Sequence, residues 1–221
     1  MDVSQALRSR RTCRAYSDRP VPRETLEAIL GDALHAPSWG NTQPWEIFVA
    51  GGEVLERIRR ESERRTLDKV PTSVDVPFPR GWTAGCSART KELTAGRASV
   101  RGTTTDDPAF HHGFMMANRR FFDAPCAVYL CMDRTLGEWS IFDLGALCHG
   151  ITLAAFERGV ESAIAINLVV YPDLLREQLA IPENLLVVIG IALGYADPAD
   201  PEDGFRSARR PLGDAVRFVG V

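Results

Sequence analysis

The sequence predicts an α+β fold: a mixed, largely antiparallel sheet flanked by helices around one long apolar helix. Three features point there. The runs APCAVYLCM (124–132), VESAIAINLVV (160–170) and LLVVIGIALGY (185–195) are short, apolar and bounded by turn residues, as strands are. Helical spacing of apolar residues fills the segments before and between them. Residues 138–158, with LGALCHGITLAAF at 144–156, are apolar nearly all round. A helix with no polar face must be covered on every side, by its own fold or by a second copy. The 221 residues can bury a sizeable core, and 45% hydrophobic with 25% charged residues is ordinary for a globular chain.

Taken in order, residues 2–11 read as a short helix. Pro22 suits the first turn of a second helix running to about His35, with Leu26, Ile29, Leu30, Ala33 and Leu34 on one face. Pro37 ends it, because the residue before a proline is pushed out of the helical region. WEIFVA (45–50) reads as a strand, Gly51-Gly52 as a turn and 53–69 as a charged helix. From 70 to 118 no period lasts, apart from a possible short helix near 88–98. So long an irregular stretch in a compact domain is a functional lid or a disordered segment, and the lid is the favoured reading. PDLLREQL (172–179) is a helix between strands, and the closing AVRFVGV is a candidate edge strand after a loop-like tail from 197. No internal repeat divides the chain, which reads as one domain.

Composition closes several doors. Five cysteines without a CxxC pair argue against a disulfide framework and a thiolate zinc site. The histidines fall in no metal-binding spacing, although His111-His112 are adjacent in a loop. His149, on the apolar helix, reads as a core or interface residue. Walker and GxGxxG phosphate loops and GxSxG are absent. The N-terminus lacks a secretory apolar stretch and no window suggests a membrane span, which implies a cytoplasmic protein with no membrane partner.

Charge is uneven. Residues 1–23 carry a local +4, against −7 for the remainder and −3 for the chain. Within that stretch lies RSRRTCRAY (8–16). Four arginines in seven positions make an anion site, a nucleic-acid arm or a solvated helix end. A pI near 5.9 favours a focused anion pocket over a broad nucleic-acid surface. The loop APSWGNTQPW (36–45) is the second concentration of chemistry. Ser38, Asn41 and Gln43 offer donors and acceptors that can edge a flat heterocycle such as a flavin. They equally suit a turn capped by its own side chains.

RRTCRAY and APSWGNTQPWEIFV, in that order, resemble the FMN-dependent nitroreductase family. The similarity continues through APCAVYL, GEWSIFDLGALCHGITLAAFERGVES, INLVVYPDLLREQLAIP, VVIGIALGY and the tail RSARRPL. It spans essentially the whole chain except about 55–115. The resemblance implies an intertwined homodimer with FMN at the interface. Arg10, Arg11, Thr12 and Arg209 would face the phosphate and ribityl chain, and Arg14 the N1/O2 edge of the ring. Pro37, Ser38, Trp39 and Asn41 would come from the partner subunit. Ile166 and Asn167 match the segment near N5 and O4, and Arg120 the second ring-edge cation, with Asn118 close by. Many relatives carry a lysine where this chain has Ser207, a role that Arg206 would take. Trp39 replaces a small residue.

The implied activity is hydride transfer from NADH or NADPH, through FMN, to an electron-poor small-molecule acceptor such as a nitroaromatic or quinone, with ping-pong kinetics. The same fold also serves flavin dehydrogenases, reductive dehalogenases and flavin-fragmenting enzymes. A nucleic-acid or protein-interaction module is the reading from another class. Residues 70–118 would govern acceptor choice and not FMN retention, and 197–221 would form an arm reaching the partner.

Overall fold

A computed structural model of the chain describes residues 2–221. Its centre is a four-stranded antiparallel sheet in the order β1-β2-β4-β3, from strands β1 (Glu46–Gly51), β2 (Cys126–Asp133), β3 (Glu161–Ala165) and β4 (Leu185–Gly194). β2 is buried along nearly its whole length because β1 and β4 flank it and helices cover both faces. One face is covered by α2 (Arg23–Ala33) and α6 (Glu138–Glu157). The other carries α3 (Gly52–Leu67) and α7 (Pro172–Leu179). The expected α+β architecture is therefore present, and its four strands are antiparallel throughout. Among the described residues the one parallel element is a bridge between Thr12 and Ser162.

α6 is long and apolar enough, by length and composition, to cross a membrane. Here Leu144, Leu147, Cys148, Ile151 and Ala155 pack it against the sheet and α2. Its other face keeps Trp139 and Phe142 67% and 72% exposed. His149 is exposed on this face too, so the core alternative for it falls.

The segment 70–118 departs from the irregular reading. It contains α4 (Ala84–Val100) and α5 (Pro108–Arg119). Both start on caps the sequence does carry: Thr83 accepts from the Cys86 N–H, and Asp107 accepts from the Ala109 N–H ahead of Pro108. Gly85 and Gly96 weaken α4's local preference. Tertiary contact overrides it: Phe205 lies so close to Gly96 that a Cβ there would come within 3.1 Å.

Two other readings are corrected. The strand expected over 160–170 stops at Ala165, and Ile166–Val169 turn as a 3-10 helix. Leu168 then folds over Gly190 of β4, where a Cβ would fall 2.5 Å from its own. The closing AVRFVGV pairs with no strand among the described residues. A short helix α8 (Leu212–Ala215) precedes it, and Phe218, Val219 and Val221 stand exposed.

Candidate functional site

Residues 10–17 follow α1 (Val3–Ser9) and run along the sheet margin. The Cys13 N–H donates to the Ser162 carbonyl at 2.9 Å, the Ser17 N–H to that of Tyr195 at 2.9 Å, and the Asp197 N–H to that of Ala15 at 3.0 Å. Buried Tyr16 pins the segment further, donating to the carbonyls of Cys13 and Ala192 at 3.1 and 3.3 Å. Backbone pairing thus fixes where the alternating side chains point. Burial pushes the Cys13 thiol up to about 11, which makes it an inert core group.

Arg10, Arg11, Thr12 and Arg14 line a cavity of about 470 Å³ with Leu93 of α4 and Phe205, Arg206, Ser207 and Arg209 of the tail. The N-terminal motif and the C-terminal arginines, nearly 200 residues apart in sequence, therefore meet. Their electrostatics is unbalanced. Burial, then repulsion from Arg209, lowers the Arg10 pKa against attraction from Glu161, and Arg206 adds to the repulsion. The Arg10 Nε is buried without a hydrogen-bond partner. Converging guanidiniums with spare donors suit a phosphate group, which accepts charge-assisted bonds from several forks. Arg206, expected to take the role of the lysine that Ser207 replaces, lines this cavity too. Arg11 differs: its guanidinium is turned to Asp203 and Glu161, so most of its charge is already balanced.

Arg14 borders this cavity and a second one of about 500 Å³, lined among others by Arg97, Phe110, Phe114, Ala117, Arg120 and Phe122. Burial, with Arg97 next, pushes the Arg14 guanidinium down to about 10. A desolvated cation between two cavities attracts negative charge developing in either.

Arg120 lines the second cavity, but its guanidinium bonds Asp123 at 3.2 and 3.3 Å and approaches Glu63. Arg119, which sequence reasoning passed over, is the arginine that reaches the 166–169 turn. It donates to the Asn167 Oδ1 at 3.0 Å, and the Asn167 Nδ2 donates to the Asn118 Oδ1 at 3.1 Å. Asn118 in turn donates to the Phe114 carbonyl at 2.7 Å. Burial without a carboxylate partner lowers the Arg119 pKa, and its Nε is unsatisfied. Helical phase, invisible before α5 was known, decides between the neighbours.

Pro37, Ser38 and Trp39 lie elsewhere. With Trp139, Phe142 and Asp143 they form an apolar depression of about 490 Å³ that shares no residue with the arginine cavities. Buried Asp143 holds the loop, accepting the Trp39 N–H at 3.2 Å on each oxygen. The Ser38 hydroxyl caps the turn by accepting the Gln43 N–H at 3.0 Å, and exposed Asn41 takes a bond from the Gln43 amide. The self-capped alternative therefore describes this loop within one chain. Among the described residues no histidine, cysteine and carboxylate cluster fits a metal ion.

Comparison with known proteins gives a consistent result. A profile of the nitroreductase family matches residues 7–195. Nitrobenzene nitroreductase of Ectopseudomonas oleovorans is 31% identical, over 98% of this chain and 96% of its own. The FMN- and NADPH-dependent nitroreductase NfnB of Sphigopyxis sp. strain HMH matches with a TM-score of 0.94 at 28% identity, covering 100% of both chains. The FMN-dependent nitroreductase NfnB of Mycobacterium smegmatis, solved in complex with NADPH, matches with a TM-score of 0.91 at 28% identity, covering 98% of this chain and 97% of that one.

Proposed function

The chain belongs to the nitroreductase family, and from that premise we propose that it is an FMN-dependent oxidoreductase. In this reading it carries hydride from NADH or NADPH to an electron-poor acceptor, a nitroaromatic or a quinone. The observation that carries the reading is the cavity where Arg10, Arg206 and Arg209 crowd one another around an unsatisfied buried Nε. A doubly negative phosphate would relieve that repulsion and take up the spare donors. FMN, when bound, supplies the hydride chemistry, for which this chain offers no side chain of its own.

The protein's part is to bind, orient and bias. Arg10, Thr12, Arg206 and Arg209 would grip the phosphate and ribityl chain, with Arg11 bracing the motif through Asp203 and Glu161. Arg14, already desolvated, would favour negative charge at the ring edge without further reorganisation. Arg119, Asn118 and Asn167 hold the Ile166–Asn167 turn that would meet the opposite edge, and Arg120 lies on the wall of the neighbouring cavity. Pro37, Ser38, Trp39 and Asn41 would complete the site from a second copy. The exposed aromatic face beside them supports a homodimer, because monomers rarely leave such patches uncovered. Phe110 and Phe114 of α5 would shape the acceptor's approach.

Donor and acceptor would occupy one face in turn, since each must bring its reacting atom to about 3–3.5 Å from the same position. Purified protein should be yellow, and NAD(P)H alone should bleach it anaerobically. Double-reciprocal lines should run parallel when both substrates are varied. A colourless protein that cannot be reconstituted with FMN would overturn the cofactor assignment. Intersecting lines would overturn the alternation alone.

A further inference from the structure

The turn at 200–205 joins β4 to the arginines of the cavity, and its carboxylates hold two different parts of the molecule, the end of α4 and the N-terminal motif. Glu202 is 6% exposed. It accepts from Arg97 Nε and Nη2 on separate oxygens at 2.7 and 2.8 Å, and from Arg101 Nε at 2.6 Å. Asp200 receives Arg101 Nη2 on both oxygens, at 3.0 and 2.9 Å. Asp203 pairs with Arg11. The Glu202 carbonyl accepts the Phe205 N–H at 2.9 Å, and Phe205 seats its ring against Gly96 of α4. The residues that follow at once are Arg206, Ser207 and Arg209, which line the cavity opposite Leu93 of α4.

A carboxylate this buried persists only with its charge matched and its oxygens bonded. Burial opposes its ionisation, yet the hydrogen bonds from Arg97 and Arg101 win and hold Glu202 below the usual carboxylate range. Neutralising it would strand Arg97, equally buried and already repelling Arg14. The bidentate fork sets direction as well as attraction, so it fixes how the turn lies on α4.

We propose that Glu202 is a positioning residue of the FMN site: by gripping Arg97 and Arg101 it fixes the 205–209 segment and so sets the affinity for the phosphate end of the cofactor. It follows that α4 is a wall of the cofactor site and not a removable lid. The proposal rests on the FMN reading above, and its test separates the two.

The probes are FMN and riboflavin, which lacks the phosphate, titrated into apoprotein with flavin fluorescence as readout. In the parent, FMN should bind far more tightly than riboflavin. In Glu202→Gln the FMN Kd should rise about ten- to a hundredfold, the worth of one charge-assisted bond, while the riboflavin Kd moves less than about threefold. Arg101→Gln, at a guanidinium one-third exposed, is the milder variant should Glu202→Gln fail to fold. It should show a smaller loss in the same ratio. An unchanged FMN preference in the folded variant overturns the role of Glu202 and leaves the cofactor reading standing. Equal weakening of both flavins overturns it too, as a general structural effect. A parent that binds neither flavin refutes the FMN reading, and this proposal with it.

Discussion

The two sides of the arginine cavity are held by different forces. Residues 10–17 hang on β3 and the end of β4 by main-chain hydrogen bonds and one buried tyrosine. Residues 200–209 are held on α4 by side-chain ion pairs and one packed ring. The first arrangement tolerates many side-chain exchanges, because the bonds belong to the backbone. The second depends on a few charged groups and can be undone one residue at a time. One site is thus built from a rigid rail and an adjustable clamp.

The largest effect expected comes from emptying both sides at once. Arg10→Ala with Arg209→Ala removes a charged donor from each, and such bonds contribute about 1.5–3 kcal/mol apiece. FMN affinity should fall by about two to four decades while the circular dichroism of the apoprotein stays that of the parent. The single variants sharpen the contrast. Arg10→Ala should weaken binding more than Arg209→Ala, because Arg10 is partly buried with a spare donor while Arg209 is exposed and bonded to Ser207 and Ala208 of its own segment. Unaltered FMN affinity in the double variant would sink the phosphate assignment.

Neither side of the cavity includes the loop at 37–39, which the proposed dimer would bring from a second copy. Phe142→Glu places a charge on the apolar face of α6 where Trp39 and Trp139 stand edge to face, their ring centroids 6.2 Å apart. Sedimentation at micromolar concentration should show the parent as a dimer and the variant as a monomer that retains FMN poorly. A monomeric parent that holds flavin would show that rail and clamp suffice alone.

What was legible in the sequence follows the same division. The main-chain-held parts announce themselves: β2, β4, α6 and α7 fall where apolar period and turn residues put them, and the RRTCRAY motif carries its own arginines. The clamp does not. Nothing local says that Glu202 belongs to Arg97, 105 positions away, and the glycines of α4 read as punctuation until Phe205 is seen against one of them. PEDGFRSARR does hold a signal in hindsight, an acidic turn directly ahead of an arginine cluster. Arg119 escaped notice for a related reason. Adjacent residues differ by about 100° around a helix of 3.6 residues per turn, and that phase is set by packing against the 166–169 turn.

The smallest effect separates the two sides by sign. Glu202, on the clamp, is held below its ordinary pKa by Arg97 and Arg101 despite burial. Its contribution is present above the unfolded value of about 4.3 and is lost as pH falls through the folded value. Glu161, on β3 beside the rail, is raised by burial against the pull of Arg11, and one of its oxygens has no partner. Its folded form takes up a proton before the unfolded chain does, so stability from this group grows as pH falls. Arg14 and Cys13, at about 10 and 11, do not titrate in this window. Melting of the apoprotein at pH 6.5 and pH 3 should therefore show opposite shifts. Acidification should lower the melting temperature less in Glu202→Gln than in the parent, and more in Glu161→Gln. The two differences should be opposite in sign. Shifts of the same sign in both variants would mean that the acid response belongs to groups outside the cavity, and that rail and clamp are not electrostatically distinct.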